Sequence, residues 1–192
     1  MPSSIDAPDS SETAHWNENG ATRSARWRSA SGLPAPRRIV IGDDRMKADA
    51  AYRLACEGTA ILWRGDFQNA RQLLNAMARR SEPQRLPGKK SGTKPEFPDA
   101  FFRYRMAQAQ RARILGMLIL PFRAGHVIPL ARAPDVALAC EEAFGPSAEP
   151  YLASLRELLG VIGAHEWREK GVDVPAAGGR IHPHYGVFSP VR

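Results

Sequence analysis

The alternation of apolar and polar residues predicts five helices between residues 44 and 170. The clearest is the last, from Pro150 to about Lys170, whose apolar residues recur at intervals of three and four positions. Those residues are Tyr151, Leu152, Leu155, Leu158, Leu159 and Ile162. The other helices are predicted at about 44–57, 66–80, 99–118 and 135–144. Asp43 or Asp44 is expected to cap the first of them, and Asp66 the second.

Little of the chain carries the signature of β-structure. Residues 59–64 are expected to be a short extended segment, residues 127–130 a short strand, and residues 171–192, which are rich in glycine, a small β-structured connector. Residues 81–98 contain four prolines and predict a surface loop. Residues 1–38 are rich in Ser, Ala, Pro and Arg and predict a disordered tail. The predicted fold class is therefore mainly α, with a helical domain over residues 39–170.

Charge is concentrated in the middle of the chain. The 192 residues carry a formal net charge of +7, and residues 64–113 contain twelve Lys or Arg against four Asp or Glu. Such a localised positive field favours a polyanionic partner such as RNA, although it is also compatible with a surface that only maintains solubility. No uninterrupted apolar stretch is long enough to span a bilayer, and no secretory signal is present, so no membrane partner and a cytoplasmic location are expected.

Five arginines in or near this basic segment are the candidate substrate-binding residues: Arg64, Arg71, Arg103, Arg105 and Arg111. Tyr104 is available for stacking on a base. On a helical wheel the arginines of the 99–118 helix surround the axis rather than forming one stripe, so some of them are expected to pair with acidic groups. Lys89, Lys90 and Lys94 of the neighbouring loop could contact a nucleic-acid backbone or could simply be solvated.

The residues that usually support catalysis or metal binding do not form a recognisable set. Cys56 and Cys140 belong to no CxxC pair and predict buried reduced thiols. His182 and His184 lack further ligands nearby, and His165-Glu166 lacks the second histidine of a zinc-protease helix. Nucleophile elbow, P-loop and dinucleotide motifs are also absent from the sequence. The predicted catalytic, cofactor-binding and metal-ligating residues are therefore none.

Several segments nevertheless resemble one enzyme family. They are Leu62-Trp63-Arg64-Gly65-Asp66, Asn69–Leu74, Arg132–Asp135, Leu155–Gly160, His165–Arg168 and Arg180–Arg192. Together they resemble the N-terminal region of bacterial class I S-adenosylmethionine-dependent methyltransferases, and the likeness extends from about residue 45 to the end. The group is similar to release-factor glutamine methyltransferases and to small-domain ribosomal RNA methyltransferases.

The resemblance implies the front module of an α/β methyltransferase. In that family a recognition region comes first, a β-structured connector follows, and a doubly wound core then binds S-adenosylmethionine. The stretch Tyr185-Gly186-Val187-Phe188 resembles the connector. The acidic-x-Gly-x-Gly-x-Gly cofactor loop and the Asn-Pro-Pro-Tyr segment of such enzymes do not occur in these 192 residues. The cofactor is therefore implied only for the full-length family, and this chain is expected to be truncated before the core and inactive alone.

Two functions follow as hypotheses. The first is a substrate-recognition module for ribosomal RNA or a translation protein, working with a missing or separate methyltransferase core. The second is a non-enzymatic, basic, helical nucleic-acid-binding protein. Both hypotheses assign the recognition of a partner to the basic middle segment.

Overall fold

The computed structural model describes residues 13–82, 97–174 and 178–186, which form an α/β fold around a six-stranded mixed sheet. Eight strands are found in these ranges: β1 (Thr13–Glu18), β2 (Ala21–Arg28), β3 (Arg38–Gly42), β4 (Thr59–Trp63), β5 (Leu118–Phe122), β6 (Tyr151–Ser154), β7 (Val172–Val174) and β8 (Gly179–Ile181). The same ranges contain five α-helices: α1 (Ala48–Cys56), α2 (Phe67–Arg80), α3 (Asp99–Leu115), α4 (Ala137–Phe144) and α5 (Leu155–Lys170). The prediction of a mainly α fold is therefore wrong.

The sheet rolls on itself. Its strand order is β1-β2-β6-β5-β4-β3, in which β3, β4 and β5 are mutually parallel. Strand β6 runs antiparallel to β5 and parallel to β2, while β1 and β2 form an antiparallel hairpin. The two outer strands, β1 and β3, lie against each other. The sheet thus has an enclosed inner face and an outer face.

The two faces are packed by separate apolar clusters. Ala14, Trp27, Leu62, Ile119 and Leu152 meet on the inner face, where each is almost completely buried. The outer face is covered by the helices, which bury the alternate residues of the same central strands against α1, α2, α4 and α5. Every residue of β4, β5 and β6 is consequently buried, as is usual for strands covered on both sides.

Burial on both faces explains why β5 and β6 were predicted incorrectly, whereas the extended segment expected at residues 59–64 is β4. Residues Leu118–Phe122, partly assigned to a long helix, form β5, and α3 ends at Leu115. Tyr151 and Leu152 belong to β6, so α5 begins at Leu155 rather than at Pro150. A continuous apolar run has no period of two, so it cannot be distinguished from a helix end by its pattern. The strand expected at residues 127–130 is absent from the structure, which has an irregular segment there.

The predicted disordered tail contains two strands of the sheet. Strands β1 and β2 lie within residues 1–38, so disorder is the wrong prediction for residues 13–38; residues 1–12 lie outside the described residues. The inward positions of this hairpin are taken by Ala14, Trp16, Ala25 and Trp27, and the intervening residues are polar. Two tryptophans therefore provide most of the apolar surface of a segment whose composition is otherwise polar.

Residues 171–174 and 178–186 lie at the end of the described chain. Strands β7 and β8 form a separate two-stranded antiparallel sheet, in which Val172 pairs with Ile181. Tyr185 then packs its ring edge-on against Phe144, with ring centroids 5.9 Å apart. This contact attaches the segment to α4, although part of the predicted connector, 187–192, lies outside the described residues. Within the part of the chain that the structure describes, no helix is long and apolar enough to cross a membrane.

The inner cluster should contribute strongly to stability. Leu62→Ala removes a side chain that is 0% exposed and opens a cavity between the central strands, so we expect a loss of about 2–5 kcal/mol in the free energy of unfolding. Leu138→Ala is the matched control, because Leu138 is 70% exposed on α4 and its loss should change stability by less than about 0.5 kcal/mol. Urea denaturation measures both values, and equal losses would contradict the two-faced packing of the sheet.

Candidate nucleic-acid interface

The first two-thirds of α3 and the two residues that precede it, residues 97–110, form an exposed segment that we call the arm. Helix α3 is anchored at its C-terminal end, where Ile114 and Leu115 are buried in the outer cluster. From Phe101 to Gln110 every residue is exposed to solvent, so this part of the helix has no buried face. Ala, Arg, Gln and Met in this stretch have high helix propensity and favour a helix without tertiary support.

The arm carries an unusual amount of exposed aromatic surface. Five large apolar residues lie along it: Phe97, Phe101, Phe102, Tyr104 and Met106, with exposed fractions from 50% to 83%. Phe101 lies 6.4 Å from Phe97 and 5.9 Å from Phe102, measured between ring centroids. Scattered apolar residues are normal on a protein surface, whereas a contiguous group of this kind marks an interaction surface.

Arginines alternate with these rings. The guanidinium group of Arg105 lies 6.0 Å from the centroid of the Phe101 ring, within the range of a cation–π contact. Arg103 lies between Phe102 and Tyr104 in the sequence and is exposed. A positively charged surface with unburied aromatic rings can neutralise phosphates and stack on unpaired bases at the same time.

The other predicted arginines serve different purposes. Arg111, closer to the helix anchor, donates to a carboxylate oxygen of Glu82 at 3.3 Å. Arg71 lies on α2 and donates to the side chain of Gln68. Arg64 follows β4 and forms two hydrogen bonds to Glu18, of 2.9 and 2.7 Å. The five candidates therefore lie on two helices and the turn after β4, and only Arg103 and Arg105 belong to the arm. Lys89, Lys90 and Lys94 lie outside the described residues.

The segment Arg64-Gly65-Asp66 is a structural turn. Asp66 caps α2 by accepting the backbone N–H groups of Gln68 and Asn69, as predicted. The carboxylate of Asp44 accepts the backbone N–H of Asp66 at 2.9 Å and the side-chain amide of Asn69 at 3.0 Å. A Cβ atom on Gly65 would lie 2.4 Å from that carboxylate, so the turn requires glycine at this position. The expected cap of the first helix is wrong, since α1 has Lys47 at its N-cap and no side-chain cap.

A buried polar network lies beneath α4, and sequence reasoning did not detect it. The two ring nitrogens of His126 lie 2.9 Å from the hydroxyl of Tyr151 and 2.9 Å from the carbonyl oxygen of Gly145. Because a carbonyl oxygen only accepts, Nε2 of a neutral ring donates to Gly145 and Nδ1 accepts from Tyr151. The guanidinium group of Arg28 lies 5.0 Å from the Tyr151 ring centroid and donates to the carbonyl oxygen of Phe144.

This network has the properties of a structural cluster. Burial raises the pKa of Cys140 to about 11, so the thiol is protonated at neutral pH and is a poor nucleophile. Burial also raises the pKa of Tyr151 well above its ordinary value. Cys140 is buried as predicted, whereas the prediction is wrong for Cys56, which is exposed. The contacts of this cluster join β2, β6 and α4 and account for the polar groups that the helix covers.

Two of the three histidines considered as metal ligands form hydrogen bonds within the protein. Nδ1 of His182 lies 2.6 Å from the carbonyl oxygen of Arg168, and Nδ1 of His165 lies 2.9 Å from the carboxylate of Glu142. His184 is exposed two residues after His182. Residues 13–82, 97–174 and 178–186 contain no group of three or more metal-ligating side chains.

Comparison with known proteins adds no family assignment. The chain matches no family model, and neither a curated protein nor a solved structure shows significant similarity to it. The aromatic and basic arm is therefore the feature from which a function can be argued.

The turn at Asp66 predicts a defined pH dependence of stability. The pKa of Asp66 is lowered below its ordinary value of 3.8, chiefly by hydrogen bonds from Arg132 at 2.7 and 2.8 Å and further by the capped N–H groups. A lowered pKa in the folded state gives stability that is present above pH 3.8 and is lost as the pH falls through the folded-state pKa. Asp66→Asn keeps a capping side chain but removes the charge.

Thermal unfolding between pH 2 and 7 measures this effect. The melting temperature of Asp66→Asn should lie below that of the wild type near neutral pH, and the difference should shrink as the pH falls below 3.8. Asp135→Asn is the control, because Asp135 also caps a backbone N–H but has no arginine partner among the described residues, so this variant should retain the acid dependence. A pH-independent difference for Asp66→Asn would contradict the assignment.

Proposed function

We propose that this chain is a substrate-recognition module that binds single-stranded RNA through the arm of residues 97–110. The observation that carries the proposal is the alternation of Phe101, Phe102, Arg103, Tyr104 and Arg105 on a helix that is exposed on all sides. RNA-binding surfaces combine flat rings, on which unstacked bases lie, with cations that follow the phosphates.

Full exposure also explains how the helix can carry arginines on all sides, as its helical wheel indicates. Arginines that surround a helix would leave charges buried if one face of that helix packed on the protein. The arm packs no face, so Arg103 and Arg105 can both reach solvent, while Arg111, nearer the anchor, meets Glu82. A single strand of RNA can wrap such a helix, whereas a rigid duplex would contact one side of it.

The methyltransferase context of the proposal comes from the resemblance of the sequence segments. In that context the arm holds the RNA, and a core encoded separately or further along the gene transfers the methyl group from S-adenosylmethionine. The alternative is a stand-alone nucleic-acid-binding protein. The same arm serves both, so they differ in the presence of a core rather than in the mode of binding.

Binding of a single-stranded RNA of about 12 nucleotides tests the arm. Tyr104→Ala and Phe102→Ala should each weaken binding by about tenfold or more, because stacking on one base contributes about 1–3 kcal/mol. Arg103→Gln should reduce the slope of log K against log salt concentration by about 0.7. Fluorescence anisotropy at several salt concentrations gives both quantities.

Two variants control for surface changes outside the arm. Leu138→Ala removes an exposed apolar residue of α4, and Arg45→Gln removes an arginine whose side chain is 90% exposed. Neither should change the affinity by more than about twofold. Unchanged RNA affinity in Tyr104→Ala and Phe102→Ala, or equal losses in the controls, would refute the arm as the RNA site. If the wild-type chain binds no RNA but binds a protein, and the arm variants lose that protein, the arm is a protein-docking helix instead.

Calorimetry with S-adenosylmethionine tests the division between recognition and chemistry. The 192-residue chain should show no saturable binding, since its sequence lacks the glycine-rich loop with which this class seats the cofactor. Methyl transfer to RNA by this chain alone would contradict a recognition role without chemistry. An open reading frame beyond codon 192 that encodes an acidic-x-Gly-x-Gly-x-Gly loop would favour the module over the stand-alone protein.

A further inference from the structure

A second basic feature lies at one end of the rolled sheet, away from the arm. At this end the parallel strands β4 and β5 terminate, followed by Arg64 and Arg123. Strand β6 begins there, because it is antiparallel to β5. The β1–β2 hairpin completes the rim with Trp16, Glu18 and Arg23. A cavity of about 330 Å³ opens between these elements, and we call it the mouth.

The position of the mouth is significant in itself. In α/β sheets ligands bind beyond the carboxyl ends of parallel strands, where loops rather than continuous backbone form the surface. Here the loops after β4 and β5 each contribute an arginine, although they are separated by more than fifty residues of sequence. Folding thus brings together charges that sequence reasoning had not connected.

The balance of charge in the mouth is positive. Glu18 is the acidic residue in its lining; it accepts two hydrogen bonds from Arg64 and one from the indole N–H of Trp16 at 3.0 Å. The hydrogen bond from Arg64 is the main reason that the pKa of Glu18 lies below its ordinary value, so the carboxylate stays ionised and neutralises Arg64. Within the described ranges Arg23 and Arg123 form no ion pair, although the charge of Arg23 also lowers the pKa of Glu18. Three arginines against one glutamate leave the mouth with a net positive charge.

The lining of the mouth is mainly apolar. It consists largely of Trp16, Pro121, Pro129 and Pro150, together with the otherwise buried residues Phe122 and Tyr151. Binding pockets for small organic ligands combine such walls with a few convergent polar groups. Guanidinium groups match the oxygens of a phosphate in geometry and charge, and the apolar walls suit a planar ring.

We propose that the mouth binds a phosphate ester of mononucleotide size. Arg23 and Arg123 hold the phosphate, and the organic part lies against Trp16 and the prolines. Glu18 limits the affinity because it neutralises Arg64, which also lines the mouth. This site is independent of the RNA arm, so either assignment can fail without the other.

Titration with adenosine 5′-monophosphate, adenosine and inorganic phosphate tests the site by calorimetry. The monophosphate should bind saturably, and adenosine should bind at least about tenfold more weakly, because it lacks the group that the arginines recognise. Inorganic phosphate should compete with the monophosphate. Equal binding of the nucleotide and the nucleoside, or no saturable binding of the nucleotide, would overturn the proposal.

Variants of the mouth should change the affinity for the nucleotide in opposite directions, which a general loss of structure cannot do. Arg123→Gln and Arg23→Gln should each weaken nucleotide binding by about tenfold. Glu18→Gln should strengthen it by about threefold or more, because Arg64 is released and a negative charge is removed. Arg156→Gln at the opposite end of the sheet and Tyr104→Ala in the arm should leave it unchanged. Weaker binding in Glu18→Gln with melting temperatures unchanged would refute the assigned charge balance.

Discussion

Enclosure of the sheet on both faces is the constraint on which the rest of this structure depends. The inner face closes because Trp27 and Ala14 from the N-terminal hairpin meet Leu62, Ile119 and Leu152 of the central strands. Rolling also brings β1 against β3, so the inner side chains are shielded without a second sheet. The helices are then left to cover the outer face, and they do so with α1, α2, α4, α5 and only the last turn of α3. The free arm and the open mouth are both consequences of this arrangement.

The sequence allowed the helices to be predicted because their outer faces remain in water. Alternation between an apolar stripe and polar residues survives in α2, where Asp66 also marks the beginning. The central strands lack that contrast, because helices cover one side of them and the rolled interior covers the other. Their sequences are uniform apolar runs that merge with neighbouring helices, as at Leu118–Phe122. The β1–β2 hairpin was predicted incorrectly for the opposite reason. Its inward residues are two alanines and two tryptophans, and so few apolar residues leave the average composition of the segment typical of a disordered tail.

Of the two candidate sites, the arm could be predicted from the sequence and the mouth could not. The arm was accessible from sequence because its residues are consecutive, and its aromatic and basic character is visible in Phe101–Arg105. The mouth was not accessible, because Arg23, Arg64 and Arg123 come from three different strand ends whose proximity depends on the order of strands in the sheet. Arg64 was selected for its charge, yet its main contact is Glu18 of β1, a strand that had been predicted to be disordered. Strand order is a long-range property, and no local pattern encodes it.

The mouth and the arm also differ in rigidity, and therefore in the kind of ligand that each can bind. Arg64 and Arg123 of the mouth directly follow β4 and β5, which are packed on both faces, so the backbone at these two positions is fixed and suits a small ligand of fixed shape. Arm residues belong to a helix that is anchored only at its C-terminal end, by the burial of Ile114 and Leu115 and the ion pair of Arg111 with Glu82, so its rings can adjust to a partner of variable conformation. A rigid recess would discriminate among ligands by size and charge, whereas an unsupported helix would bind many single strands with little dependence on sequence. Recognition of a particular RNA would therefore require a further contact outside the arm, because the arm itself offers rings and cations but few groups that read base edges.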